Sequence, residues 1–271
     1  MEGKTPPKLG NNVNVFQNCT SLKTIFVPAG CESTYKNAWT TYVMRIKEIP
    51  NGNCGIAGQE ESVKWVFNPV TGTLTISGTG DMKGYNIING VAQNLPWENY
   101  RTSIEKVVIE SGITEIGSGS FADHTNLTEV TFAKNSKLKK IGGSAFLGCS
   151  GLTSITIPSS VNSIGAYAFS ACTSLTSITL PSSVISIEKE AFSDCAKLTT
   201  VTMKGATPPT LGDNIFESCE ELNTIFVPTT ALSAYQHSDS SKGWDNYKSK
   251  LAIGGDCGAE GHESDVKWAF K

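Results

Sequence analysis

The sequence predicts a repeat solenoid built mainly of β-strands, and three observations carry that prediction. The stretches LKKIGGSAFLGCSGLTSITIP (138–158) and VNSIGAYAFSACTSLTSITLP (161–181) are back-to-back copies of one pattern. Ile141, Phe146, Cys149, Leu152, Ile155 and Ile157 are answered by Ile164, Phe169, Cys172, Leu175, Ile178 and Leu180, always 23 positions on. The leucine position also runs beyond this pair, through Ile104, Leu127, Leu152, Leu175, Leu198 and Leu222, in steps of 23, 25, 23, 23 and 24. Self-similarity at that period marks a stacked array, whose turns share one continuous core. A single turn buries too little apolar surface to offset the entropy of ordering it, so stacking must supply the stability.

Each turn brings the same parts. Leu152, Ile155 and Ile157 alternate as one face of a strand. An aromatic knob recurs at Phe121, Phe146, Phe169, Phe192 and Phe216, and three positions after each come His124, Cys149, Cys172, Cys195 and Cys219. With Cys19 in the same slot, this reads as a ladder of small buried thiols rather than disulfides. The eight cysteines form no C-x-x-C pair, which removes the usual zinc signature.

In chain order, residues 1–50 repeat a later segment. Phe16, Cys19, Leu22, Phe26 and Pro28 match Phe216, Cys219, Leu222, Phe226 and Pro228 at a shift of 200. They read as the last repeat and C-terminal cap of a preceding unit, so the chain is expected to begin inside a longer protein. The Gly- and Pro-bearing stretch IPNGNCG (49–55) is a turn or hinge. Residues 54–103 form a β-rich N-terminal cap, with strands at Val63–Phe67 and Thr73–Ser77 joined by a turn at Asn68–Gly72. Trp65, Trp97 and Tyr100 are placed to cover the open end of the array. Residues 104–230 are the array, and 231–253 a C-terminal cap rich in aromatics, Tyr235, Trp244 and Tyr247. Residues 254–271 open a further N-terminal cap, because Cys257 and Trp268 repeat the 11-residue spacing of Cys54 and Trp65.

Composition excludes several functions. A net charge of −3 with 17% charged residues leaves no basic stripe for nucleic acid or anionic lipid. No apolar run reaches the roughly 18 residues of a membrane span, so no membrane insertion is expected of this chain. His124, His237 and His262 are scattered, and no nucleophile elbow, zincin motif or Cys–His pairing is present, so no enzyme, metal or cofactor is expected. SGTGDMKG (77–84) lacks the strand-to-helix setting and terminal Lys-Ser/Thr of a phosphate loop, and reads as a cap turn.

The assembled motif, I-x-x-I-G-x-x-A-F-x-x-C-x-x-L-x-x-I-x-I-P, resembles that of the BspA-like leucine-rich-repeat surface proteins of bacteria, with KIGGSAFLGCSGLTSITIP (140–158) and SIGAYAFSACTSLTSITLP (163–181) as the best matches. The cap segments TGTLTISGTGDM (71–82) and PWENY (96–100) resemble what precedes such arrays. The resemblance implies leucine-rich repeats of about 23 residues between a β-hairpin N-cap and an aromatic C-cap. It also implies an extracellular or cell-surface location, and adhesion to a host extracellular-matrix or cell-surface protein or to a neighbouring cell; a glycan is the alternative partner, suggested by the hydroxyls of the outward strand rows. Departures are local: IEKEAF (187–192) replaces the usual Ile-Gly, and His124 replaces the ladder cysteine.

The candidate site follows from strand alternation. If the apolar positions face in, one outward row reads Thr131, Thr156, Thr179 and Thr202 and ends at Phe226, and a second reads Glu129, Ser154, Ser177, Thr200 and Thr224. Six such strands would make a polar, concave face roughly 25 Å long. This face is either a hydroxyl-rich docking surface with Phe226 as an aromatic contact, or a solvated sheet whose threonines serve strand propensity. Two further roles stay open: a spacer of tandem units that projects other domains, and a carbohydrate-binding accessory, for which Phe226 and Trp244 are the aromatic candidates.

Overall fold

The computed structural model describes residues 4–7, 16, 19–239, 242–256 and 267–270; Cys257 and His262 lie outside them. Most coils of the array contribute two strands, one long and one short, while the coil carrying Ile155 and Ile157 keeps its short strand and has only a single bridge, at Thr156, in place of the other. The short strands form a six-stranded sheet in the order Gly80–Asp81, Ile113–Ile116, Lys140–Ile141, Ser163–Ile164, Ser186–Ile187 and Thr210–Leu211. All its pairings are parallel, with Glu115, Lys140, Ser163, Ser186 and Thr210 in one register. This is the fold class expected from the repeat: parallel strands stacked one coil upon the next.

The ring column is the axis of the core. Phe121, Phe146, Phe169 and Phe192 are fully buried, and Phe216 nearly so. Successive centroids lie 5.2, 5.2, 5.3 and 5.7 Å apart with interplanar angles of 18, 7, 4 and 21°. The rings sit on turns, and their spacing stays within an ångström of the roughly 4.7–4.9 Å between paired strands because each coil stacks directly on the last. Both ends of the column are closed by aromatics. Trp97 stacks on Phe121 at 5.7 Å, and Tyr247 meets Phe216 edge-on at 5.3 Å.

Cys149, Cys172, Cys195 and Cys219 are buried free thiols beside this column. Each donates to the phenylalanine carbonyl of the preceding coil: Cys149 Sγ to Phe121 O at 3.1 Å, Cys172 to Phe146 at 3.3 Å, Cys195 to Phe169 at 3.2 Å and Cys219 to Phe192 at 3.0 Å. Burial pushes the Cys172 thiol up to about 12 and that of Cys149 well above the usual thiol range. Cys19, assigned by sequence to the same ladder, is instead exposed. Among the described residues it has no preceding coil whose carbonyl could take its thiol.

A second lattice flanks every ring. The residues two before and two after each phenylalanine have left-handed backbones: Gly119 and Asp123, Ser144 and Gly148, Tyr167 and Ala171, Glu190 and Asp194, Asn214 and Ser218. This turns the N–H groups of Tyr167, Phe169 and Ala171 onto the carbonyls of Lys189, Ala191 and Ser193 in the next coil, at 2.9, 2.8 and 2.8 Å. The pattern repeats from Ser144 to Ala166, Phe146 to Ala168 and Gly148 to Ser170. Strain of about 1–2 kcal/mol per left-handed residue is offset by hydrogen bonds that tie coil to coil.

The Ile-Gly step of the motif has a packing cause. A Cβ on Gly165 would come within 2.5 Å of the Gly143 nitrogen, backbone that cannot move aside. Glu188 occupies the equivalent place one coil on. Its carboxylate accepts from the Ala166 N–H at 3.1 Å, lying over a coil whose own residue, Gly165, has no side chain.

At the N-terminal end, Val63–Asn68 and Thr73–Gly78 form the antiparallel hairpin, and Thr73–Gly78 pairs parallel with Lys106–Ile109. The hairpin therefore supplies the first edge on which the array stacks. At the other end, helix Leu232–Gln236 and the 3-10 turn Asp245–Lys250 carry Tyr235, Trp244 and Tyr247 into the core. Trp244 Nε1 donates to Pro209 O at 2.8 Å, and Tyr235 hydroxyl to Gly205 O at 2.9 Å.

Residues near the start repeat this arrangement. Phe16 meets Tyr42 edge-on at 5.2 Å, its N–H donates to the Tyr42 hydroxyl at 3.1 Å, and Trp39 Nε1 donates to Pro7 O at 3.1 Å. Phe216 with Tyr247 and Trp244 with Pro209 make the same contacts. Ile25, Val27, Cys31, Tyr35, Trp39, Tyr42 and Ile46 form a core of their own, apart from the one that runs from Cys54 to Tyr247.

Candidate functional site

The long strands build the candidate face. Ser177–Leu180, Thr200–Met203 and Thr224–Val227 each alternate half-buried and buried residues, as the sequence pattern requires. Their parallel register sets Ser177 beside Thr200 and Thr224, and Thr179 beside Thr202 and Phe226. Thr156 joins the second row through a bridge to Thr179. None of the hydroxyls of Ser154, Thr156, Ser177, Thr179, Thr200, Thr202 and Thr224 has a hydrogen-bond partner among the described residues.

Another hydroxyl row, absent from the sequence reading, is consumed internally. Thr128, Thr176 and Thr199 follow the leucine position directly, and their Oγ1 atoms donate to Glu105 O, Thr153 O and Thr176 O at 3.2, 3.4 and 3.0 Å. The 23-residue offset of Thr153, Thr176 and Thr199 is the signal that could have found it. The abundance of threonine therefore has two causes, one structural and one at the surface.

Two expectations require correction. The sequence places Thr131 and Glu129 in the same rows as Thr156 and Ser154, but the sheet is divided there. Glu129–Phe132 pairs with Lys106–Ile109 and ends a sheet of its own, while Ser154 lies outside any strand. The two extra residues of that coil displace one strand from the next. Nor does the row of Thr179 and Thr202 end at Phe226. Leu251–Asp256 pairs beyond it, with Ala252 opposite Phe226, and the ring lies so close to Gly254 that a Cβ there would come within 2.5 Å. Phe226 is thus half-covered by its neighbour.

Two charges on this side pair across adjacent strands. Lys106 Nζ lies 2.9 Å from Glu129 on the adjacent strand, and the carboxylate raises the lysine pKa. Trp244, the other aromatic named for a carbohydrate platform, is wholly buried in the cap and presents no ring to a ligand. His124 is buried too, with Nδ1 at 3.1 Å from Ala122 O, and burial pushes its pKa down to about 4. Among the described residues no group of three or more His, Cys, Asp or Glu side chains could hold a metal ion, and no helix is long and apolar enough to cross a membrane.

The family described as the BspA type leucine rich repeat region matches six copies in this chain, over residues 9–56 and 98–223. The chain belongs to that family. Among solved structures, this BspA-type chain is similar to a T. pallidum leucine-rich-repeat protein at 28% identity and a TM-score of 0.45, covering 61% of this chain and 79% of that one. It is similar to a Bacteroides ovatus leucine-rich-repeat protein at 25% identity and a TM-score of 0.43, covering 61% and 45%. A leucine rich cell surface protein of Faecalibacterium prausnitzii aligns at 28% identity and a TM-score of 0.40, covering 64% and 54%. The chain thus spans about half the length of the last two. No curated protein matches.

Proposed function

We propose that this BspA-type chain is a non-enzymatic recognition module of the bacterial cell surface that binds a partner protein through its long-strand face. The observation that carries this reading is the contrast between the two hydroxyl rows. Thr176 and Thr199 spend their hydroxyls on the backbone of the neighbouring coil, whereas Ser177, Thr179, Thr200, Thr202 and Thr224 leave theirs to the surface, in register across three strands. A regular array of short donors and acceptors on a rigid sheet suits a protein or glycan surface, with little side-chain entropy lost on binding.

The test is binding of the purified chain to a panel of extracellular-matrix proteins, mucins and glycans, beside a Thr179→Glu/Thr224→Glu variant. These positions lie two strands apart in different rows, so the two charges are not cross-strand neighbours. Saturable binding that weakens at least tenfold in the variant supports recognition through this face. Binding that the variant retains removes the face from the proposal.

The spacer reading is favoured by a separate observation. The Phe16–Tyr42 arrangement near the start repeats the Phe216–Tyr247 arrangement at the end. The Gly52–Trp65 strand pairing recurs as Gly255–Trp268, 203 residues later. We therefore assign residues 1–50 to a preceding unit, 54–253 to one complete unit and 254–271 to the next. If no member of the panel binds, tandem projection is the better account.

A further inference from the structure

The break in the long-strand sheet is local and one-sided. The coil from Leu127 to Leu152 is 25 residues long, and its extra length sits after the strand: nine positions separate Phe132 from Ile141, against seven from Ile157 to Ile164. On the opposite side nothing parts. Glu115, Lys140 and Ser163 remain in register, and Phe121 stays 5.2 Å from Phe146. The coils are therefore held together by the ring column and the short-strand sheet, while the long strands open into a cleft of about 350 Å³.

One wall of the cleft carries backbone groups that the array does not use. Glu129 and Ala133 N–H groups donate back to Glu105 O and Ile109 O. Because a strand directs successive backbone groups to opposite edges, Val130 and Phe132 present theirs to the cleft. On the facing wall, Thr153 O accepts from the following coil and Thr156 bridges to Thr179 there, so this segment pairs away from the cleft. Among the described residues no backbone hydrogen bond links residues 128–133 to 153–158. Val130 and Ile155 are each 7% exposed, whereas Val107, Val201 and Ile225 are wholly buried. Ser160 Oγ, shut off from solvent and without a partner among the described residues, belongs to the same lining. Lys134 is the one charged residue in that lining.

Free strand edges pair with added strands, and main-chain hydrogen bonds then supply the affinity. We propose that this cleft takes an extended, acidic peptide segment of a partner protein, paired through its backbone with Glu129–Phe132 and with a carboxylate against Lys134. The volume is at the small end of ligand sites, roughly 300–1,000 Å³, and suits a few residues of extended chain. The inference rests on the face-recognition reading and narrows it to one coil boundary.

The probe is a fluorescein-labelled, end-blocked hexapeptide, Thr-Val-Thr-Val-Glu-Thr, titrated into the full chain. Saturable binding is expected, with slowed amide exchange confined to residues 128–134 and 153–158. Alternate N-methylation of the peptide should abolish binding, and Glu-to-Lys replacement in the peptide or Lys134→Glu in the protein should weaken it at least tenfold. Deleting Lys134 and Asn135, which restores the 23-residue step, should close the ladder and remove binding; Lys134→Glu, a change at an exposed position, decides the matter if that deletion does not fold. The proposal is overturned by no binding at millimolar peptide, by binding that survives N-methylation, or by protection elsewhere. If a panel partner is lost with Thr179→Glu/Thr224→Glu but retained by the deletion and Lys134→Glu variants, the face reading stands and the cleft fails.

Discussion

His124 sits where the other coils place a cysteine, and its burial makes it sensitive to acid. Desolvation lowers its pKa from 6.5 to about 4, nearby Arg101 acts in the same direction, and the hydrogen bond to Ala122 O opposes both. The unfolded chain therefore takes up this proton before the folded chain does. The histidine's contribution is fully present above pH 6.5 and is lost as the pH falls from there towards 4. That loss amounts to roughly 3 kcal/mol at most. We expect denaturant midpoints to fall across this window, and the slope to flatten in His124→Cys, which restores the ladder residue. An unchanged slope would mean that the imidazole is not the group that titrates.

The element that the periodicity left undescribed is the loop around each ring. Its left-handed residues are not glycine in most coils: Tyr167 and Ala171 lie at φ 58 and 57°. Substituting glycine for an alanine usually destabilises, because the unfolded chain gains freedom, by about 0.4–1 kcal/mol. At Ala171 that loss meets the relief of a left-handed strain of about 1–2 kcal/mol. Ala171→Gly is therefore expected to leave stability unchanged or raise it by up to about 1 kcal/mol. Ala168→Gly, at a wholly buried neighbour without that backbone, should lower it by about 0.5–1 kcal/mol or more. Chemical denaturation of the pair checks this, and equal losses would show that the inter-coil hydrogen bonds do not depend on the twist.

For the whole molecule, stability is distributed along the column, since each coil touches only its neighbours. Phe169 lies between Phe146 and Phe192 at 5.2 and 5.3 Å, so its removal damages two interfaces at once. Phe169→Ala is expected to cost about 3–5 kcal/mol, read as a drop in denaturant midpoint. A smaller loss would show that the backbone lattice, rather than the rings, carries the stacking. The same division of labour explains why the long-strand sheet can part after Glu129–Phe132 without separating the coils. Rings and short strands hold one side while the other is free to open.

Periodicity made much of this legible in advance. The Phe column, the buried thiols, the hairpin at the N-terminal end and the aromatics at the C-terminal end all follow from which residues recur and which must be covered when recurrence stops. Local chemistry determined the alternation of Ser177, Thr179, Thr200, Thr202 and Thr224, because side chains on a strand take opposite faces whatever the fold. Whether neighbouring rows meet was decided only by the tertiary structure. The 25-residue step was visible in the sequence, but it does not say on which side of the coil the extra length is absorbed. That depends on which contacts resist separation: the buried rings held, and the exposed strand edge yielded. Thr131 and Thr156, equivalent by pattern, therefore became opposite walls of a cleft.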